Sequence, residues 1–195
     1  MTQTTYTGRD AFMELLVQEG VTHMFGNPGT TELALMEVVP NYPQVQYVLG
    51  LQESIVLAMA DGYGRASGRL SAVNLHCTPG LGHAMGALYT AKFSGSPIIV
   101  TAGQYEAGYG LTEPLLYEPL VRIAEPLVKW AVEVERAEDL PRIVHRAAKI
   151  AMTPQRVLSS SVCLAVFWTS LQRWFWGIPP AYKAPCNPTP RPCKH

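Results

Sequence analysis

Residues 70–104 read LSAVNLHCTPGLGHAMGALYTAKFSGSPIIVTAGQ. Leu70 to Leu75 has strand character, and His76-Cys77-Thr78-Pro79-Gly80 is turn-rich. A helix of small residues is expected from about Leu81 to Phe93. Pro97 to Ala102 is a continuous apolar, β-branched run, the pattern of a strand buried on both faces. Strand, helix and strand in so short a stretch form a crossover unit, and a crossover joins parallel strands.

The same alternation extends in both directions. Upstream, residues 9–19 read as a helix with Phe12, Leu15 and Leu16 at helical spacing and Gly20 as its stop. Val21 to Phe25 is a short strand running into Gly26-Asn27-Pro28-Gly29. Thr30 or Thr31 is expected to cap the next helix, which ends near Val39. Val45 to Leu49 is a second strand. Glu53 to Ala66 is a helix with Ile55, Val56, Met59 and Ala60 inward and Gly68 as its stop. Downstream, residues 103–114 read as a Gly-rich loop. Helical stretches follow around 115–125 and 137–152, with a strand at Leu127 to Val132. The fold class is α/β: a doubly wound parallel sheet flanked by helices. Ligands of such sheets bind beyond the carboxyl ends of the strands. That places chemistry in residues 26–31, 50–53 and 76–82.

The chain has 195 residues, with 15 basic and 15 acidic side chains and 48% apolar residues. This balance excludes a disordered tail protein, a coiled coil and a generic nucleic-acid binder. The neutrality is an average. Residues 1–155 hold 10 basic and 15 acidic residues; residues 156–195 hold five basic residues and no acid. The N-terminus has no basic or apolar signal region, and the longest strongly apolar run, Val162 to Trp168, is too short to span a bilayer. Cys77 is the sole cysteine of residues 1–155, so no disulfide framework is implied there. A cytoplasmic protein is expected.

Three segments could carry chemistry. Gly26-Asn27-Pro28-Gly29-Thr30-Thr31 joins a strand to a helix and could bring backbone close to a ligand, though on its own it reads first as a tight turn. Glu53 opens an apolar helix, where the helix dipole favours a carboxylate, though first-turn acids are common. His76 and His83 flank a Gly-rich turn. Their spacing is unlike a metal-ligand pair, and no metal site is expected. A histidine at a strand's carboxyl end suits acid–base work. Gly80-Leu81-Gly82-His83-Ala84-Met85-Gly86 is one residue too long for a dinucleotide fingerprint, which argues against a nicotinamide-cofactor binder. The chain also lacks a phosphate loop and a nucleophile elbow.

Together these segments are more specific than any one of them. VTHMFGNPGTTEL (21–33), ESIVLAMADGYGRASG (53–68), NLHCTPGLGHAMGAL (74–88), SPIIVTAGQ (96–104) and PLVKW (126–130) resemble, in order, the N-terminal pyrimidine-binding domain of thiamine-diphosphate-dependent enzymes. That superfamily includes acetolactate synthase, pyruvate decarboxylase and benzoylformate decarboxylase. The Gly-Asn-Pro-Gly turn and the Asn-Leu-His segment look most like the benzoylformate decarboxylase branch. The resemblance covers residues 7–154.

The resemblance implies thiamine diphosphate as cofactor and a 2-oxo acid as substrate, for decarboxylation or carboligation. It implies that Glu53 hydrogen-bonds a ring nitrogen of the aminopyrimidine and favours the tautomer that removes the thiazolium proton. His76 matches a histidine that transfers protons. Asn27, Pro28, Gly29, Thr78 and Gly82 would contact the cofactor. Thr30 would offer a hydroxyl to the substrate, and Leu115 and Leu116 would line its pocket. His83 departs from the relatives' frequent Asn. The family's Gly-Asp-Gly…Asn motif for diphosphate and Mg²⁺ is absent, so Mg²⁺ is expected only in a full-length parent, itself a homo-oligomer. This chain is expected to be inactive alone. An alternative is a non-catalytic module that pairs with a full-length partner. No nucleic-acid or membrane partner is expected.

Residues 1–155 are thus expected to be the domain, and 156–195 an aberrant, disordered basic tail. Relatives continue with Gly-Pro-Val-x-Leu-x-x-Pro where this chain has Arg156-Val157-Leu158. Permissible codons for residues 156–168, read from the third base, give Gly-Pro-Val-Phe-Leu-Ser-Leu-Pro. A frameshifted origin of the tail is therefore expected, and sequencing of the coding DNA tests it. A Cys-based metal site in the tail is disfavoured, because Cys186 and Cys193 lack zinc-finger spacing.

Overall fold

A computed structural model describes residues 7–105, 109–153 and 162–168. Among the described residues, six strands and six α-helices alternate, with short 3₁₀ turns between. The strands are β1 (His23–Gly26), β2 (Gln46–Leu49), β3 (Ser71–Leu75), β4 (Ile98–Gln104), β5 (Trp130–Val134) and β6 (Val162–Trp168). The helices are α1 (Gly8–Gln18), α2 (Leu33–Val38), α3 (Glu53–Ser67), α4 (Cys77–Ser94), α5 (Leu120–Ala124) and α6 (Leu140–Met152). The sheet order is β2-β1-β3-β4-β6-β5, and every pairing is parallel. This is the expected doubly wound sheet.

Two apolar layers hold it together. On one face, Phe12, Met13 and Leu16 of α1 pack with Leu140, Val144, Ala147 and Ala151 of α6, over Met24, Ala72 and Ile99. On the other, Val56, Leu57 and Ala60 of α3 and Leu81, Ala84 and Leu88 of α4 cover Phe25, Val73, Leu75 and Val100. β3 and β4 are buried at every position, which is why their apolar residues run on rather than alternate; among their buried polar residues, Asn74 donates to Thr101 across the two strands.

Local signals set the helix ends. Thr7 caps α1 in a reciprocal box with Asp10, satisfying free N–H groups of the first turn. Gly68 ends α3 with φ 66°, a conformation that costs glycine little. Four details differ from the sequence reading. Ile55 is 54% exposed, because α3 turns Val56, Leu57, Ala60 and Gly64 inward. Neither Thr30 nor Thr31 caps α2; a 3₁₀ turn at Thr30–Glu32 precedes it, with Gly29 as the cap residue. The expected turn at 76–80 is mostly helix, since α4 begins at Cys77. The expected loop at 103–114 begins inside β4 and includes a 3₁₀ turn at Tyr109–Thr112.

Beyond residue 155, Val162–Trp168 enters the sheet as β6, between β4 and β5. Seven consecutive apolar residues suit a strand slot flanked on both sides by strands. The remainder of the expected tail, 156–161 and 169–195, lies outside the described residues. Among the described residues, no helix is long and apolar enough to cross a membrane.

Strand order reverses direction at β1: β2 lies on one side of it and β3 on the other. The crevice at such a switch point opens beyond the carboxyl ends of β1 and β3. Residues 26–32 and 76–83 form its walls.

Candidate active site

The chain leaves β3 at Leu75 and enters α4 at Cys77, so His76 alone joins strand to helix. Cys77 makes that possible with φ 48°, a left-handed conformation uncommon for a side-chain-bearing residue. The abrupt corner brings the His76 ring against Gly29. A Cβ at Gly29 would lie 2.3 Å from ring atoms of His76. Glycine here is thus a requirement of close approach between the two crevice walls.

Glu32 holds the ring from the other side. Its side chain is 2% exposed, and its Oε2 lies 2.8 Å from His76 Nδ1. The same oxygen accepts the Gly29 N–H at 2.9 Å. Thr31 donates its hydroxyl to Glu32 Oε1; that hydroxyl oxygen is 3.1 Å from His76 Nδ1 and 3.4 Å from Cys77 Sγ. Gly103 of β4 leaves room for this cluster: a Cβ there would lie 2.0 Å from Glu32 Oε1. Burial pushes the Cys77 thiol up, and the Glu32 charge pushes it further, against a hydrogen bond with Thr31.

Glu53 occupies the first position of α3, where Gln52 caps the helix by accepting from the Ser54 and Ile55 N–H groups. Glu53 is 7% exposed. Asn27 Nδ2 donates to its Oε1 at 2.9 Å, and His83 Nδ1 lies 3.1 Å from its Oε2. Burial pushes the Glu53 carboxyl up. A backbone hydrogen bond, the contacts with His83 and Asn27, and the His83 charge outweigh it and hold the group below its ordinary value. Gly80 packs against the stem of this side chain: a Cβ there would be 3.5 Å from Glu53 Cγ.

The structure therefore brings Asn27, Gly29, Glu53 and His76 to one crevice. Asn27 acts there through its side chain, not only its backbone. Pro28 is half-buried in the same turn and Thr30 is exposed. Gly82 faces open space on α4. Thr78 directs its hydroxyl to the Leu116 carbonyl at 2.8 Å, tying α4 to the segment that carries Leu115. Leu115 itself is 83% exposed. The sequence reading missed Glu32. The signal was available in Gly29-Thr30-Thr31-Glu32, where a carboxylate three residues after a helix-entry residue commonly reaches back to its N–H.

Glu32, His76 and Cys77 place ligand atoms within 4.8 Å of one another. The raised thiol and the Glu32–His76 hydrogen bond make this a hydrogen-bonded network within the protein.

Residues 6–115 match the family model described as thiamine pyrophosphate enzyme, N-terminal TPP binding domain. The chain is 41% identical over 151 residues to benzoylformate decarboxylase of Pseudomonas aeruginosa, covering 77% of this chain and 28% of that protein. It is 31% identical over 147 residues to the mitochondrial acetolactate synthase catalytic subunit of Aspergillus candidus, covering 75% and 21%. Among solved structures, it resembles the thiamine diphosphate-dependent 4-hydroxybenzoylformate decarboxylase of Rhodococcus jostii. The TM-score is 0.79 at 37% identity, over 87% of this chain and 31% of that one. Benzoylformate decarboxylase of Polynucleobacter necessarius gives 0.77 at 36% identity, over 89% and 31%. The chain spans less than a third of the length of these relatives.

Proposed function

The chain belongs to the thiamine pyrophosphate enzymes, whose N-terminal TPP-binding domain it carries, and from that premise we propose that it forms the pyrimidine-holding half of a thiamine diphosphate site. The parent activity is decarboxylation or carboligation of a 2-oxo acid, as the names of its relatives suggest. The single observation that carries this reading is Glu53: a buried carboxylate at the mouth of the crevice, oriented by Asn27 and His83 and held ionised.

The residues fit the pyrimidine end of the cofactor. Each Glu53 oxygen has one side-chain donor, and a carboxylate oxygen accepts two. A hydrogen-bond position therefore remains for a ring nitrogen of the aminopyrimidine. Asn27, Pro28 and Gly29 form one wall, and Thr78 and Gly82 belong to the other. When bound, thiamine diphosphate supplies a carbon nucleophile and a sink for the electrons released with carbon dioxide. Glu53 fixes the ring's protonation through its charged hydrogen bond. His76 gives or takes a proton at the substrate. Thr30 offers its hydroxyl to the substrate, and Leu115 contributes apolar surface. The sequence holds no Gly-Asp-Gly…Asn segment, so Mg²⁺ and the diphosphate group require a further domain.

On this reading the 195-residue chain has no turnover and negligible cofactor affinity by itself. An assay with pyruvate and with benzoylformate, in thiamine diphosphate and Mg²⁺, checks this. Clear decarboxylation would refute it. Reading residues 156–195 as a frameshifted segment belongs to the same proposal; coding DNA that continues the family pattern in no shifted frame would reject it.

Exposed apolar residues favour a second reading. Leu51, Ile55, Tyr89 and Phe93 are each more than half exposed, and the Tyr89 and Phe93 rings lie 6.5 Å apart on α4. Such residues suit association with another chain. The alternative is a non-catalytic module that pairs with a full-length thiamine enzyme. Co-purification with such an enzyme supports it, and a monomer in its presence excludes it.

A further inference from the structure

We propose that Glu32 is a positioning residue for His76: it takes the Nδ1 proton and leaves Nε2 as the ring's basic atom. This rests on the reading of His76 as a proton-transfer group, but the tautomer itself can be read without cofactor or substrate.

The argument is one of donors and acceptors. An ionised carboxylate only accepts. Glu32 Oε2 lies 2.8 Å from His76 Nδ1, so the proton between them sits on Nδ1. The nearby Thr31 hydroxyl cannot supply it, because its single proton goes to Glu32 Oε1. Thr31 Oγ1 then serves as acceptor toward His76 Nδ1 and the Cys77 thiol. Gly29 N–H completes the set on Glu32. Three donors thus converge on one buried carboxylate, and each is charge-assisted.

A neutral imidazole has one N–H and one lone pair, and the bond at one nitrogen decides the role of the other. With Nδ1 protonated, Nε2 carries the lone pair. Among the described residues, no hydrogen bond is made to Nε2. The His76 side chain is 23% exposed, so the ring is not sealed off from the crevice. Gly29 beneath the ring and Gly103 beside the carboxylate leave room for the pair without a side chain between them. The sheet brings together residues 44 positions apart in sequence to make it.

The test is the tautomer of His76 in the intact chain, read from long-range proton–nitrogen correlations of ¹⁵N-histidine-labelled protein above the ring's titration. His76→Gln identifies the signal. The expected result is a neutral ring protonated predominantly at Nδ1, with a marked shift of population toward Nε2–H in Glu32→Gln. Thr31→Val should keep the Nδ1–H form. A wild-type ring protonated mainly at Nε2 overturns the proposal, with no variant needed. So does an unchanged tautomer in a folded Glu32→Gln protein, or loss of the Nδ1–H form in Thr31→Val alone. Absence of thiamine diphosphate binding would leave this result untouched and would count against the proposed function only.

Discussion

The crevice contains two carboxylate–histidine pairs with nearly the same ingredients and different environments. Glu32 and Glu53 are both almost fully buried. Each meets the Nδ1 atom of a histidine, at 2.8 and 3.1 Å. Around Glu32 the protein supplies three donors, one of them on a part-buried histidine. Around Glu53 it supplies two side-chain donors, one of them on a histidine whose side chain is 63% exposed. The first carboxylate is gripped by Gly29, Thr31 and His76, all from the two facing crevice walls. The second is held by Asn27, by a backbone hydrogen bond and by a histidine that lies mostly in solvent. On the readings proposed above, similar chemistry would serve positioning in one place and ligand contact in the other.

The largest difference should appear on truncation. Glu32→Ala strips the acceptor from Gly29, Thr31 and His76 at once. Unsatisfied buried groups cost about 1–3 kcal/mol each, partly relieved by water, so a loss of about 3 kcal/mol in unfolding free energy is expected. Glu53→Ala frees Asn27 and His83, both of which reach solvent; about 1 kcal/mol is expected. Urea unfolding of both variants measures the contrast, and equal losses would erase the distinction drawn between the two sites. Next in size is Gly103→Ala. Its Cβ would overlap Glu32 Oε1 and Thr31 Oγ1, and overpacking of this kind costs about 2 kcal/mol. Near-neutral stability for this variant would mean that the Glu32 cluster is loosely seated.

How much of this was legible in the sequence differs between the same two pairs. The parallel sheet was readable, because β3 and β4 are buried on both faces and carry mostly apolar residues without strict alternation. Glu53 and His76 stand out in the sequence through the resemblance of their segments to a known family, and the structure places both near the carboxyl ends of the strands. Their partners were not readable. Spacing could mark Glu32 as a carboxylate reaching back to Gly29, but not its link to His76, which spans 44 positions. Asn27 looked like a turn former and proves also to be a donor to Glu53. The early start of α4 depends on the left-handed backbone of Cys77, which propensity would not assign to cysteine. Ile55 fitted an apolar helix, but periodicity alone did not say which apolar residues the sheet would cover. At β6, a shift in charge and composition suggested the end of the domain, whereas strand pairing depends on local apolar character, which Val162–Trp168 has.

The smallest expected effect separates the pairs by pH. The Glu53 carboxyl lies below its ordinary value of 4.5 in the folded chain. In the unfolded chain it returns to that ordinary value. Between the two values the unfolded state binds more protons, so lowering the pH favours unfolding. The stabilisation is fully present above the unfolded value and disappears as pH falls through the depressed folded one. His83 contributes to the depression both by hydrogen bond and by charge. His83→Asn removes the charge, so the folded value should move back toward 4.5 and the pH dependence of stability across this acidic window should flatten. Unfolding midpoints measured from neutral pH down through the carboxylate range give the slope directly. A slope unchanged in His83→Asn would assign the depression to Asn27 and the backbone alone, and His83 would then be a neighbour of Glu53 without electrostatic influence on it.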